Sequence, residues 1–341
     1  MEHQQLNPMN IHKNISLQAY NTFGIEQKAA LLIEAYDTKD ILEALRSYPN
    51  LIVLGGGSNI LLTQEIQTPI LKIMQKGISV EKETDSHVWI KAQAGEVWSD
   101  FVDSCVARGY GGLENFSLIY GTVGAAPVQN IGAYGVELKD VLSSCEVLDR
   151  ESGQTMTLLK ENCHFGYRDS LFKQQKGRYI ILSATFCQTK RDHLFKTHYG
   201  DIRALLQEKG WGETPELISK VIKEIRLSKL PNPTELGNSG SFFKNPVIPR
   251  EQFLSLQERY PTMPHFEISA EEVKVPAAFL IETCELKGFR IDKVGVHHRQ
   301  PLVLVNFGGA TGEEVLALAR HIQKRVLNRF GIQLEMEVNV W

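Results

Sequence analysis

Residues 121–135 read GTVGAAPVQNIGAYG, glycine-rich and apolar, yet they keep neither the 3.6-residue period of a helix nor the two-residue period of a strand. Backbone N–H and C=O groups that leave water must find partners, so an apolar stretch without regular pairing has few places to go. It is either a long irregular core loop or a backbone grip on a large ligand. Around it the pattern is ordinary. Residues 31–35 read as a strand, 38–46 as a helix capped by Asp37 or Thr38, and 51–54 as another strand. This small βαβ unit delivers Gly55-Gly56-Gly57-Ser58-Asn59 at a strand end, where open α/β layouts place ligand loops.

That second glycine run is no dinucleotide fingerprint of the GxGxxG kind, because Ile60 stands where the last glycine would be needed, and no GxxxxGK[ST] phosphate loop occurs. Its free N–H groups suit a pyrophosphate nest assisted by Ser58 and Asn59, or else a plain tight turn. Two glycine grips in one chain suit a long ligand such as FAD, or another extended dinucleotide.

The 341 residues exceed the ~100–200 of one domain, so two or three packed units are expected. A hydrophobic content of 43% against 23% charged residues, without low-complexity tracts, places the chain among globular proteins. The net charge of -3 and the lack of a basic run argue against nucleic acid as a partner. MEHQQLNPMNIHKN holds no apolar leader, and nowhere do ~18 apolar residues run together, so a cytoplasmic protein off the membrane is expected. Five scattered cysteines without a CxxC pair suit free thiols. Adjacent His297 and His298 point to opposite faces of a strand, so no metal site is expected.

Residues 80–94 look like strands, and 97–108 like a helix closed by Gly109. The polar segment 190–214 reads as a mobile loop. A further region opens with Thr214-Pro-Glu as cap, N1 proline and acidic first turn. Thr311 and Glu314 form a capping box for a helix stopped by Gly331, and 332–340 alternates as one strand with Glu335 and Glu337 on its polar face. Taken singly, Ser241 reads as a turn serine beside Phe242 and Phe243, and Arg168 as half of an ion pair with Asp169. Arg226 and Lys229 read as a phosphate clamp or as solvated charge, and Glu337 as a solvated strand face.

Their order and company say more. NTFGI, LGGGSN, GTVGAAPVQNIGAYGVEL, FGYRDS, THYGD, KLPNP, GNSGSFFKNP and LEMEV together resemble the UDP-N-acetylenolpyruvoylglucosamine reductase family, in family order from about Asn21 to the C-terminus. The resemblance implies an α+β protein, with a vanillyl-alcohol-oxidase (PCMH)-type FAD-binding domain over 22–192 and a smaller α/β substrate-binding domain over 214–341. The first would be built of subdomains of about 1–67 and 68–213, and the last strand, near 332–341, would return toward the active site.

It further implies noncovalent FAD, NADPH as cosubstrate, and UDP-N-acetylglucosamine enolpyruvate as substrate in peptidoglycan precursor synthesis; a monomer is expected. By matched motifs Ser241, Arg168 and Glu337 are catalytic. Gly55, Gly56, Gly57, Ser58, Asn59, Gly121, Thr122, Gly124, Ala125, Ile131 and Gly132 hold the flavin. Tyr199, Arg226, Lys229, Asn245, Phe266 and Gln300 contact substrate, Tyr199 on a loop typical of one branch of the family. Phe266 replaces a familiar tyrosine and Tyr120 a common proline, and Ala125-Ala126 replace small hydroxyl or glycine residues. A related flavin-dependent alcohol oxidase would share the FAD grips without the Arg168, Ser241 and Glu337 set, and a non-catalytic UDP-sugar binder would need no flavin.

Overall fold

The computed structural model describes residues 9–341, and its first regular unit follows from the capping signal at Asp37. Residues 1–8 lie outside the described part, and with them the start of the stretch read for a leader and of the subdomain expected over 1–67. The Asp37 carboxylate accepts the Asp40 N–H at 2.9 Å and starts the helix Thr38–Ser47, which buries Ile41 and Ala44. The strands Lys28–Ala35 and Ile52–Leu54 flank this helix in sequence but do not pair with each other. Ile70–Ile73 lies between them and runs parallel to both, with Leu32 and Ile52 opposite Ile70.

Contacts divide the chain into two units. One comprises 9–15, Ala29–Gly56 and Gln67–Ser228; the other comprises Ser16–Lys28, Gly57–Ile66 and Lys229–Trp341. The first also holds an antiparallel five-stranded sheet in the order Gln154–Leu159, Leu142–Asp149, Tyr179–Thr189, His87–Gln93 and Ile78–Glu83. Alternation along His87–Gln93 turns Val88, Ile90 and Ala92 into the core. There they meet the helix Trp98–Val106, whose Trp98 packs edge-on against Phe101, Phe116 and Phe186 at 6.0, 5.8 and 5.7 Å. The helix ends two residues before the expected Arg108, and Gly109 at φ +74° closes it by donating to the Val106 carbonyl.

Residues 190–214 hold more structure than a mobile loop, because the helix Ile202–Glu208 buries Ile202 and Leu206. These two pack against Ile218, Val221, Ile222 and Ile225 of the helix Pro215–Lys229. The helix expected to open a further region therefore belongs, up to Ser228, to the first unit. An amphipathic helix goes where its apolar stripe is covered, and chain order has no say in that.

In the second unit an antiparallel sheet runs Gly237–Ser241, Val303–Asn306, Val294–Val296 and Arg290–Ile291. A smaller one runs Val247–Pro249, Glu272–Lys274 and Phe266–Glu267. The helix Gly312–Phe330 carries the full capping box between Thr311 and Glu314 and stops at Gly331, φ +67°. Residues 332–340 do not form the single strand expected of them. The chain pairs first with 242–244, through Lys244 N–H to Glu335 O and Glu337 N–H to Phe242 O, and then Asn339–Val340 runs parallel to Ile60–Leu61. Burial still alternates from Ile332 to Glu335, because side-chain direction depends on extended backbone and not on one continuous partner, and lapses at Met336 and Glu337, both half-buried. Val340 is 40% exposed. Among the described residues no helix is long and apolar enough to cross a membrane.

Candidate active site

The two glycine runs meet. A Cβ on Gly56 would lie 2.7 Å from the Gly121 Cα, and one on Gly55 would lie 2.9 Å from the Ala125 Cβ and 3.1 Å from the Thr122 Oγ1. Only glycine permits two backbones to approach so closely. Gly124 fits against Ala94 in the same way, where a Cβ would come within 2.6 Å of the alanine methyl, and Gly124 N–H donates to Ala94 O. Trp98 N–H donates to Gly121 O and Val123 N–H to Glu96 O, so the start of the segment is docked by main-chain pairing. The Lys72 ammonium donates to Gly55 O at 3.3 Å, and burial holds its pKa below the ordinary lysine value against the opposing pull of Glu34. Backbone that is crowded, glycine-lined and short of side chains is what a dinucleotide pyrophosphate needs to reach N–H groups.

Farther along the segment, Gly132–Ala133 and Val136–Glu137 form a hairpin whose Tyr134 and Gly135 take φ of +51° and +83°. Ile131 O accepts Leu138 N–H beside it. Arg168, itself at φ +53°, donates from Nη2 to Gly132 O at 2.9 Å and from Nη1 to Asn130 O at 3.4 Å. Asp169 accepts from Gln174 Nε2 and the Ser170 N–H. Tyr199, 42% exposed, lies against Gly135 and edge-on to Tyr134 at 6.3 Å. Arg226 donates from Nε to the Leu118 carbonyl at 3.1 Å; burial lowers its pKa while Tyr134 and Tyr120 raise it. Tyr134 shows the converse, its phenol raised by burial and lowered by Arg226. Arg226 is thus a half-buried, anchored cation, not a solvated charge.

In the second unit the NTFGI segment explains its place in the motif order. Thr22 N–H donates to Gly57 O, Asn238 N–H donates to Thr22 O, and the Asn306 amide donates to Phe23 O. Gly57 sits at φ +65° with its Cα face against Tyr20 O. Asn238 then shapes the strand that ends at Ser241, its Oδ1 accepting the Gly240 N–H, with Gly240 at φ +70° and a bulge before Ser241 pairs with Val303. Glu337 comes alongside. Its N–H donates to Phe242 O at 2.8 Å and its carbonyl accepts from Asn59 Nδ2 at 3.2 Å. Ser241, Glu337 and Asn59 are therefore brought together, while Glu335 turns away to pair with Lys244.

The remaining candidates have their own local partners. Asn245 caps the helix Ala277–Thr283 through Oδ1 to the Ala277 N–H, and Gln300 closes a turn in which its Oε1 and carbonyl accept from Leu302 and Val303. Phe266 is 41% exposed on a short strand with the Lys274 ammonium 5.6 Å from its ring centre. Lys229 and Ser58 are exposed and half-buried respectively.

Against known proteins the likeness covers both parts of the chain. Residues 232–341 match the family described as UDP-N-acetylenolpyruvoylglucosamine reductase, C-terminal domain, and 29–159 match an FAD binding domain. The chain is 47% identical over 336 residues to UDP-N-acetylenolpyruvoylglucosamine reductase of Flavobacterium johnsoniae, covering 97% of this chain and 100% of that one. The chain belongs to the UDP-N-acetylenolpyruvoylglucosamine reductase family. With the Pseudomonas aeruginosa member it shares 46% identity over 339 residues, 98% of this chain and 99% of the other. The family's fold is met again in the crystal structure of the reductase from Thermus caldophilus, at TM-score 0.69 and 22% identity over 98% and 99% of the two chains. The architecture is accordingly a PCMH-type FAD-binding fold joined to the reductase C-terminal domain.

Lys72, inside the strand Ile70–Ile73, and Asn130, inside QNIGAYG, also bond into these segments, and neither carries a motif of its own in the sequence.

Proposed function

We propose that this protein is an FAD-dependent reductase that uses NADPH to convert UDP-N-acetylglucosamine enolpyruvate into UDP-N-acetylmuramate, as a cytoplasmic monomer supplying peptidoglycan precursors. The observation that supports it most is local. Glu337 is bonded through its main chain to Phe242, the neighbour of Ser241, and to Asn59 of the glycine run, so the segments that carry these residues run side by side.

Within about 22–192, Gly55, Gly56, Gly57, Ser58, Asn59, Gly121, Thr122, Gly124, Ala125, Ile131 and Gly132 would hold FAD noncovalently. The sugar nucleotide takes residues from 214 onward together with Tyr199. FAD, when bound, accepts hydride from NADPH and supplies it to the enolpyruvyl C3. The Ser241 hydroxyl donates a proton to C2, a transfer a weak acid can make because the centre it meets is strongly basic. Arg168 and Glu337 polarise the substrate carboxylate, where charge builds during hydride addition, and a guanidinium already fixed by two carbonyls needs no reorganisation to do so. Tyr199, Arg226, Lys229, Asn245 and Gln300 bind the substrate's polar groups. Phe266 offers a ring face without a hydroxyl.

The half-reactions separate these roles. In Ser241→Ala, reduction of FAD by NADPH proceeds at the wild-type rate, whereas anaerobic reoxidation by the enolpyruvyl substrate slows by ~10²–10⁴-fold, as removal of a general acid does. Stopped-flow absorbance of the flavin reads both. Equal slowing of the two, or an oxidative half at wild-type speed, removes Ser241 from the proton-donor role.

A further inference from the structure

We propose that Asn130 is the positioning residue for Arg168, rigidly holding both the loop that carries the arginine and the carbonyls that orient its guanidinium. Asn130 has no exposed surface and sits at φ +46°, closing the 3-10 turn Ala126–Gln129 in the left-handed region that asparagine tolerates better than other side chains. Its side chain makes three bonds to two segments. Oδ1 accepts the Lys139 N–H at 3.0 Å, and Nδ2 donates to Gly166 O at 3.0 Å and to the Glu137 carboxylate at 3.1 Å.

Gly166 is the base of the arginine's own loop, which is pinned by mutual main-chain bonds between Gly166 and Asp169. The Asn130 carbonyl, in turn, accepts from Arg168 Nη1 while Gly132 O takes Nη2. One residue thus grips the arginine loop at its base through its amide and at its tip through its carbonyl. A guanidinium is a flat fork, so a carbonyl that shifts or rotates re-aims every N–H on it. Burial excludes water as a substitute partner, since an orphaned amide or carbonyl here costs its full desolvation. The side chain points at 137–139 and 166, the opposite duty from the glycines that face a ligand through bare backbone.

This role rests on Arg168 acting on the substrate carboxylate, so the test carries Arg168→Met beside two Asn130 variants in the full-length, FAD-loaded protein. Asn130→Gly keeps the positive φ and deletes all three side-chain bonds. Asn130→Asp keeps the acceptor for Lys139 N–H but sets an acceptor against Gly166 O and the Glu137 carboxylate. Both are expected to retain FAD and to be reduced by NADPH within about twofold of wild type. Reoxidation by the enolpyruvyl substrate should slow by ~10–100-fold, the scale of a misplacement of about 1 Å. Adding Asn130→Gly to Arg168→Met should slow it little further, since the two act as one unit. Wild-type reoxidation in the Asn130 variants, equal slowing of both half-reactions, loss of FAD from both variants, or independent multiplication with Arg168→Met each overturns the role. If Arg168→Met itself reoxidises at wild-type speed, the assignment of Arg168 falls and the positioning role with it; if only Arg168→Met is slow, Asn130 alone is refuted.

Discussion

His297 and His298 show how far a dipeptide can be read. On a strand they would point to opposite faces, but the strand Val294–Val296 stops just before them, and the structure sets their ring centres 4.6 Å apart while burying the first and leaving the second exposed. What local geometry could not say is the consequence of that burial. His297 Nδ1 has no hydrogen-bond partner among the described residues, and desolvation, then the charges of His298 and Arg299, lowers its pKa to about 4. The folded ring stays neutral where an unfolded histidine, at its ordinary value near 6.5, takes up a proton. This group therefore takes nothing from stability above pH 6.5 and withdraws stability as pH falls from there to about 4. For His297→Asn, the loss of urea midpoint between pH 7.5 and pH 5 should be smaller than in wild type; parallel losses would show that the ring titrates normally. Arg168 teaches the same lesson. Its residue type and motif were legible, but its two carbonyl partners lie 36 and 38 residues away in sequence.

At the scale of elements, helix ends were legible because caps are short-range. Asp37, Thr311 with Glu314, and Gly331 stand where the cap chemistry requires them. The glycine runs were legible for the same reason, as backbone without side chains. That they touch was not. Their contact makes a sharp expectation. Gly56→Ala puts a methyl 2.7 Å from the Gly121 Cα, so one run must move, at ~1–3 kcal/mol of stability and with FAD affinity at least tenfold weaker. Flavin-fluorescence titration and melting of the apoprotein measure the two, and an alanine variant that binds FAD like wild type would sever the glycine contact from the cofactor. The C-terminal segment went the other way. Its alternation holds only over Ile332–Glu335, and in place of one strand the chain changes partners between 242–244 and Ile60–Leu61.

For the whole molecule, FAD held without a covalent bond stabilises the fold only by mass action. At a hundredfold excess over the dissociation constant the gain is ~2.7 kcal/mol, so the thermal midpoint should climb by several degrees as FAD is added to apoprotein. Denaturation followed by ultrafiltration should leave the flavin in the filtrate. A midpoint indifferent to FAD, or colour retained on the denatured chain, would contradict noncovalent binding. The sequence by itself determined where the capped helices begin at Asp37 and Thr311 and stop at Gly331, which faces are apolar, which backbone stretches must be glycine, and the family. Tertiary structure decided that Ser16–Lys28 and Gly57–Ile66 join Lys229–Trp341 while the helix from Pro215 stays with earlier residues. The reason is range. Caps, alternation and glycine freedom act over a few residues, whereas Thr22 meeting Gly57 and Asn238, or Glu337 meeting Asn59, depends on strand and loop pairings up to 278 residues apart that no local preference encodes.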